Sequence, residues 1–220
     1  KMGTYEGDFS VLEYAATHCP DNRYLPEIMQ RYFKKMEVYS EFHIENGNVE
    51  RCYQICMKAA NNPLCKNPDK WLYTAAFLKN LMGQPYVASN ILARAENLNS
   101  DDLLTESKRY LRILLDAQIS TYNKEYEHKL LGELKWLDRQ VEVHLSDSAA
   151  EETLWGWTLR NNYSYFYWND MLKKIVLGTV VPRMIEAGKT PLALLLANYA
   201  DNRMLELTES YLYPNKQRDT

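Results

Sequence analysis

Glu125-Tyr126-Glu127-His128 has the clearest chemical spacing in this chain. On a helix, a carboxylate and an imidazole three residues apart share a face, and di-iron bundles use two such pairs with two further glutamates. There is no second copy: Glu41-Phe42-His43 and Glu142-Val143-His144 are spaced by two, which turns the side chains apart. Glu125 and His128 are therefore expected to be exposed, beside a buried stripe containing Tyr126 and Leu130. Cys52, Cys56, Cys65 and His43 supply zinc donors by type, but structural zinc sites use closely spaced pairs on turns, not two cysteines one helical turn apart. Neither a metal nor a cofactor is expected.

Nucleophilic catalysis has no visible apparatus. A GxSxG elbow is missing, the eight glycines are scattered singly rather than grouped as a phosphate loop, and His18, His43, His128 and His144 sit in no recognised catalytic context. The paired carboxylates Asp101-Asp102 and Glu151-Glu152 fall at helix starts, where free backbone amides and the helix dipole favour acidic groups. Cys19, Cys52, Cys56 and Cys65 would allow three disulfide pairings, but Cys52 and Cys56 share one helix face and read as buried free thiols.

The remaining concentration of chemistry is aromatic. NNYSYFYWND, residues 161–170, holds five aromatic residues, with Trp155 and Trp157 just before it. In a helix, Tyr163, Phe166, Tyr167 and Met171 form one face and Tyr165, Trp168 and Leu172 a second. So wide a girdle either packs on two sides or presents one face to a partner. Tyr and Trp combine an apolar body with a polar tip, which suits interfaces, and the interleaved amides can hydrogen-bond a peptide or sugar. Trp155, Trp157, Asn161, Asn162, Tyr165, Tyr167, Trp168, Asn169 and Asp170 are the candidate binding residues. Asn162-Tyr163-Ser164 is also a glycosylation sequon. Near the C-terminus, Asn198, Asp201 and Asn202 share a face that lines a groove or meets water.

These groups must be positioned by helices. In 220 residues, 46% hydrophobic and 25% charged, there is material for a sizeable core. The 26 basic and 29 acidic residues are mixed along the chain, without a phosphate-binding tract, so nucleic acid is not an expected partner. No apolar run of membrane-spanning length is present. The start at KMGTYEGD fits a mature exported protein or a piece of a longer one.

The punctuation predicts helices from Asp8, as N-cap, to about His18; from Pro26 to a stop at Gly47-Asn48; from about Asn48 to Ala60; from Asp69 to Met82; and from Pro85 to Asn97. Ser100 or Asp101 caps another to Ile119, and Ser120-Thr121 breaks it. Tyr122, Tyr126, Leu130, Leu134, Leu137, Val141 and Leu145 form the buried stripe of the next helix. A helix then crosses Gly178 and Pro182, and a last one starts at Pro191 with Thr190 as cap. No convincing strand is found.

A spacing recurs. Gly47 is followed by Cys52, Cys56 and Ala59; Gly83 by Ala88, Leu92 and Ala95; Gly188 by Ala193, Ala197 and Ala200, each at offsets of five, nine and twelve. The intervals between the glycines are 36 and 105 residues, the latter three times 35. Glycine permits a tight inter-helix turn, and small residues on the next helix admit close approach. GQPYVASNILARAENLNS, residues 83–100, carries Gly83, Ala88, Leu92, Ala95 and Leu98, and in this resembles the tetratricopeptide repeat family. It departs from that pattern at Ser100, where the family has a proline, and at Leu72 and Lys79, where it has tryptophan and tyrosine. GNVERCYQIC, LLDAQISTY, YFYWNDM and LLLANYADNRML are, more weakly, similar to uncharacterised exported helical proteins of gut bacteria.

The resemblance implies an all-α chain of stacked antiparallel helical hairpins, a tetratricopeptide-like right-handed α-solenoid without a sheet. The chain is expected to be one domain, with hairpins near 26–60, 69–100, 101–145 and 150–187 and a final helix at 190–208. Such stacks present a surface to an extended partner. The expected function is non-catalytic binding or scaffolding of a protein or peptide, in the cell envelope or exported from a bacterium. The alternatives are a carbohydrate-binding protein stacking sugars on Trp155, Trp157, Tyr165 and Trp168, and an unrecognised helical enzyme.

Overall fold

A computed structural model describes residues 5–22, 46–100, 102–143 and 171–200. Every regular element among them is a helix, and no strand occurs among them. The chain divides into two compact units: residues 1–115 with 151–160, and residues 116–150 with 161–220.

In the first unit, α1 is Tyr5–His18, α2 is Asn46–Ala60, α3 is Pro68–Leu81 and α4 is Pro85–Glu96, followed by α5, Asp102–Ile119, within which the division falls. Pro68 and Pro85 open α3 and α4 because a first-turn residue needs no N–H and proline's fixed φ suits that position. Packing follows chain order: α1 against α2, α2 against α3, α3 against α4. Val49, Cys52, Ile55, Cys56 and Ala59 make the buried face of α2, and Ala88, Ile91, Leu92 and Ala95 that of α4. Ala59, Ala75, Ala76, Ala88 and Ala95 are fully buried, and their small side chains let the backbones approach closely. Between them α3 is covered on all sides, since every residue from Trp71 to Lys79 is buried. Burying one of its large side chains, such as Leu78, contributes about 2–3 kcal/mol.

The turn after α3 explains its glycine. Gly83 has φ +68°, its N–H donates to Asn80 O (3.0 Å), and the Gln84 N–H donates to Lys79 O (2.9 Å). This pair of bonds is a Schellman cap, which needs a left-handed residue and so favours glycine. Gly188 repeats it in the second unit: φ is +74°, and Gly188 and Lys189 N–H groups reach Ile185 O and Met184 O at 2.9 and 2.8 Å.

The second unit holds α6, Lys124–Val143, then helical residues 171–186 and 190–200. Within 171–186 the backbone widens into a π turn at Val176–Val180, where the Val181 N–H donates to Val176 O, before α7, Val181–Glu186. Pro182 accounts for the widening. It has no N–H to give, and its ring crowds the carbonyl four residues earlier, that of Gly178, which a wide turn moves aside. Tyr122, Tyr126, Leu130, Leu134 and Leu137 are buried as the stripe requires, although Tyr122 precedes α6. Val141's side chain and Leu145 lie outside the description.

Three boundaries differ from expectation. α1 begins at Tyr5, so Asp8 lies inside it and is not its cap. α2 begins at Asn46, so Gly47 sits in a first turn of helix rather than ending one. Helix 190–200 includes Thr190, and the Lys189 carbonyl accepts the Ala193 N–H, which moves the cap to Lys189. Of the small residues after the three glycines all are buried except Ala197, which is partly exposed. The expected helix from Pro26, and residues 201–208 of the last, lie outside the described residues.

Candidate functional site

Trp155, Trp157, Asn161, Asn162, Tyr165, Tyr167, Trp168, Asn169 and Asp170 all lie outside the described residues, as do Asp101, Glu151, Glu152, His43 and His144. The description resumes at Met171 and Leu172. Both are 1% exposed. Met171 and Leu172 open a described helical stretch that is covered over the angle separating two adjacent residues, about 100°.

Among the described residues, the polar chemistry of the first unit gathers at three places. At the first, Ser100 Oγ donates to Asp69 Oδ2, while Lys108 Nζ donates to Ser100 Oγ (2.9 Å), Ala95 O (3.1 Å) and Leu98 O (3.1 Å). Asp69 and Lys108 are 4% and 5% exposed. Serine beside lysine is the composition of a Ser–Lys nucleophile, but the geometry serves another end. A general base needs a free lone pair, and this ammonium donates three bonds; the Ser100 proton is already directed at a carboxylate. Lys108 instead caps the chain leaving α4: it donates to Ala95 O, which also accepts the Leu98 N–H (3.1 Å), and to Leu98 O just past the helix end. Ser100 couples that cap to Asp69 at the start of α3.

At the second place, Lys79 donates to Glu50 Oε2 (2.8 Å) and lies 4.0 Å from the centre of the Tyr53 ring, while Gln54 Nε2 donates to Glu50 Oε1 (2.6 Å). The Lys79 hydrogen bond, then that from Gln54, hold the Glu50 carboxyl below its ordinary range against the opposing effect of burial. The Lys79 charge is thus paired and its stem covered.

The third joins the end of α1 to the α2–α3 loop. Asn62 Nδ2 donates to Ala16 O (3.1 Å) and Thr17 O (2.9 Å), and Trp71 Nε1 to Pro20 O (3.1 Å). Asp21 accepts from the Lys66 N–H (2.8 Å), the Asn67 N–H (3.1 Å) and Asn67 Nδ2 (3.1 Å). Burial raises the Asp21 pKa, but these donors together outweigh it and hold the group below its ordinary value.

In the second unit, Tyr122 Oη donates to Ala117 O (3.0 Å) and meets Tyr126 edge to face at 5.2 Å. Arg183 stands over the Tyr122 ring at 5.6 Å and donates to Ser120 O (2.9 Å). Burial pushes the Tyr122 hydroxyl up to about 12, against the Arg183 charge, and pushes Tyr126 up as well, with Tyr122 and Asp116 adding to it. Lys189 pairs with Glu127, and Lys129 with Asp116 at 2.8 Å. Phenols held protonated in this way are not bases at neutral pH: both pack, and Tyr122 also donates.

Glu125 and His128 are exposed on α6, as the lone pair required, and among the described residues no three His, Cys, Asp or Glu side chains converge. Cys52 and Cys56 are buried free thiols; burial pushes Cys52 up to about 12 and Cys56 well up. Cys19 and Cys65 are free but only partly buried.

Helix 190–200 carries the densest exposed apolar surface in the described part of the second unit. Leu194 and Leu195 are 61% and 68% exposed, Tyr199 is also exposed, and Asn198 beside them faces solvent. Sequence reading fixed on Asn198 for its polarity and passed over these leucines, although three consecutive leucines at 194–196 cannot all face one core. Lys108 was missed as well. It interrupts the stripe Leu104, Lys108, Leu111, Leu115 at spacings of four, three and four, and a charge in such a stripe needs a buried partner. No described helix is long and apolar enough to cross a membrane. No protein family, no curated protein and no solved structure matches this chain.

Proposed function

We propose that this is a non-catalytic helical binding or scaffold protein built from repeat-like hairpins, tetratricopeptide-like in its turns, which engages a protein or peptide. The single observation that carries the reading is the exposed Leu194, Leu195 and Tyr199 surface with Asn198 at its edge. Large apolar side chains left in water on one helix cost free energy that a partner's surface would recover, at about 25 cal/mol per Å² removed from water. Sequential packing of α1 to α4 and the matching Schellman turns at Gly83 and Gly188 support the hairpin reading. The burial of every residue of α3 from Trp71 to Lys79 argues that this helix is a core element of the stack and not a groove wall. Residues 155–168 belong to the proposal as a second aromatic contact region, and the cell envelope or exterior of a bacterium is the proposed location.

A random peptide library displayed on phage and panned against the immobilised full chain tests this. Enrichment of a common sequence pattern, with binding lost in Leu195→Glu at unchanged melting temperature, is the expected result. Absence of any enriched pattern, or enrichment indifferent to Leu195→Glu, would remove helix 190–200 from the account.

A further inference from the structure

Of the four cysteines, two are distinguished by place. Cys52 and Cys56 lie in the core face of α2, while Cys19 opens the turn leaving α1 and Cys65 stands in the α2–α3 loop, each only partly buried against the same core. The loop is tied to the turn by the Asp21 hydrogen bonds and to the end of α1 by those of Asn62, while Trp71 of α3 bonds the turn at Pro20 O. Cys65 Sγ itself donates to Asp21 Oδ1 at 3.8 Å. Asp21 is two residues beyond Cys19, at most about 7 Å of chain, and the Cys19–Asn22 turn is closed by the Asn22 N–H donating to Cys19 O (3.0 Å). Cys65 is thus held on the side of its loop that faces the turn bearing Cys19.

We propose that Cys19 and Cys65 form a reversible redox staple, a disulfide that locks the end of α1 to the α2–α3 loop when the chain meets a disulfide oxidant. The Cys19 thiolate attacks one sulfur of oxidised glutathione, giving a mixed disulfide and one glutathione thiolate. The Cys65 thiol then loses its proton to solvent and its sulfur attacks the Cys19 sulfur, expelling the second glutathione. Two protein thiols become one disulfide and one oxidised glutathione becomes two reduced molecules. Cys65 is the resolving partner, because burial, together with the neighbouring Asp21 carboxylate, keeps its thiol protonated. Cys52 and Cys56 take no part: they are one turn apart on a single rigid helix and covered by it and its neighbours. The bond would close the chain between residues 19 and 65, restricting the unfolded state far more than the folded one.

Oxidised glutathione is added to the native full-length protein, which is then alkylated and mapped by mass spectrometry without reduction. The expected product is one linked peptide pair joining Cys19 to Cys65, with Cys52 and Cys56 alkylated only after denaturation. A rise in melting temperature of roughly 10 °C should accompany it, be reversed by dithiothreitol, and be absent in Cys65→Ser. A stable mixed disulfide at Cys19 alone, a linked pair containing Cys52 or Cys56, or a Cys19–Cys65 bond without a rise in stability would each overturn the proposal.

Discussion

Lys108→Met keeps the length of the side-chain stem and removes only its charged head, so it isolates what the ammonium does. In the native chain that head satisfies Ala95 O, Leu98 O and Ser100 Oγ, and Ser100 in turn bonds the buried Asp69 carboxylate. Methionine takes the Lys108 donor from Leu98 O, at about 1 kcal/mol or more, and one donor from Ala95 O, which keeps the Leu98 N–H (3.1 Å), and leaves a 4% exposed carboxylate with less support. Recovery of the lysine's own desolvation cost offsets part of this, for a net loss of about 2–4 kcal/mol. Urea denaturation followed by circular dichroism reads it as a lower midpoint at unchanged slope. Combining Lys108→Met with Asp69→Asn should cost at least about 1 kcal/mol less than the sum of the singles, since both act on one network. A single variant within about 0.5 kcal/mol of wild type, or additive singles, would refute the cap and reopen the question of what a buried lysine beside Ser100 is for.

Three further outcomes follow from the geometry. Gly83→Ala and Gly188→Ala should each lose about 1 kcal/mol although an added Cβ meets nothing within 4 Å at either, because the cost is the left-handed φ; Gly132→Ala, equally open but helical, should gain about 1 kcal/mol in thermal melts. The Thr74 hydroxyl is buried with no hydrogen-bond partner among the described residues, so Thr74→Val, nearly equal in volume, should raise stability by about 1 kcal/mol. Asp21 and Glu50 both have carboxyls held below their ordinary values, so their contribution is complete above about pH 4 to 5 and is lost as pH falls through the lowered folded values. The urea midpoint of wild type should therefore fall between pH 5 and 3 more steeply than that of Asp21→Asn with Glu50→Gln; parallel curves would contradict the assignment.

What could be seen in advance was what the chain writes locally. Pro85 announces a helix start, and the spacing of Ala88, Leu92 and Ala95 announces a packed face. Asp8 and Gly47 misled for one physical reason: capping propensity and glycine's cost are each worth only about 1 kcal/mol. The buried Phe9 and Leu12 of α1, and Val49, Cys52 and Ile55 of α2, outweigh that and extend the helices past the local signals. The Asp69, Ser100 and Lys108 network escaped notice because its members lie on different elements and meet only after folding. The exposed leucines of helix 190–200 escaped because an apolar residue is read as core until its neighbours are known.

Calorimetric titration of a panned peptide into wild type, Leu195→Glu and Trp168→Ala protein tests the central claim most directly. Binding through helix 190–200 predicts at least a tenfold loss of affinity in Leu195→Glu, about 1.4 kcal/mol, with melting temperature unchanged. Undiminished affinity in Leu195→Glu would contradict it, and a loss confined to Trp168→Ala would move the binding surface to the aromatic segment.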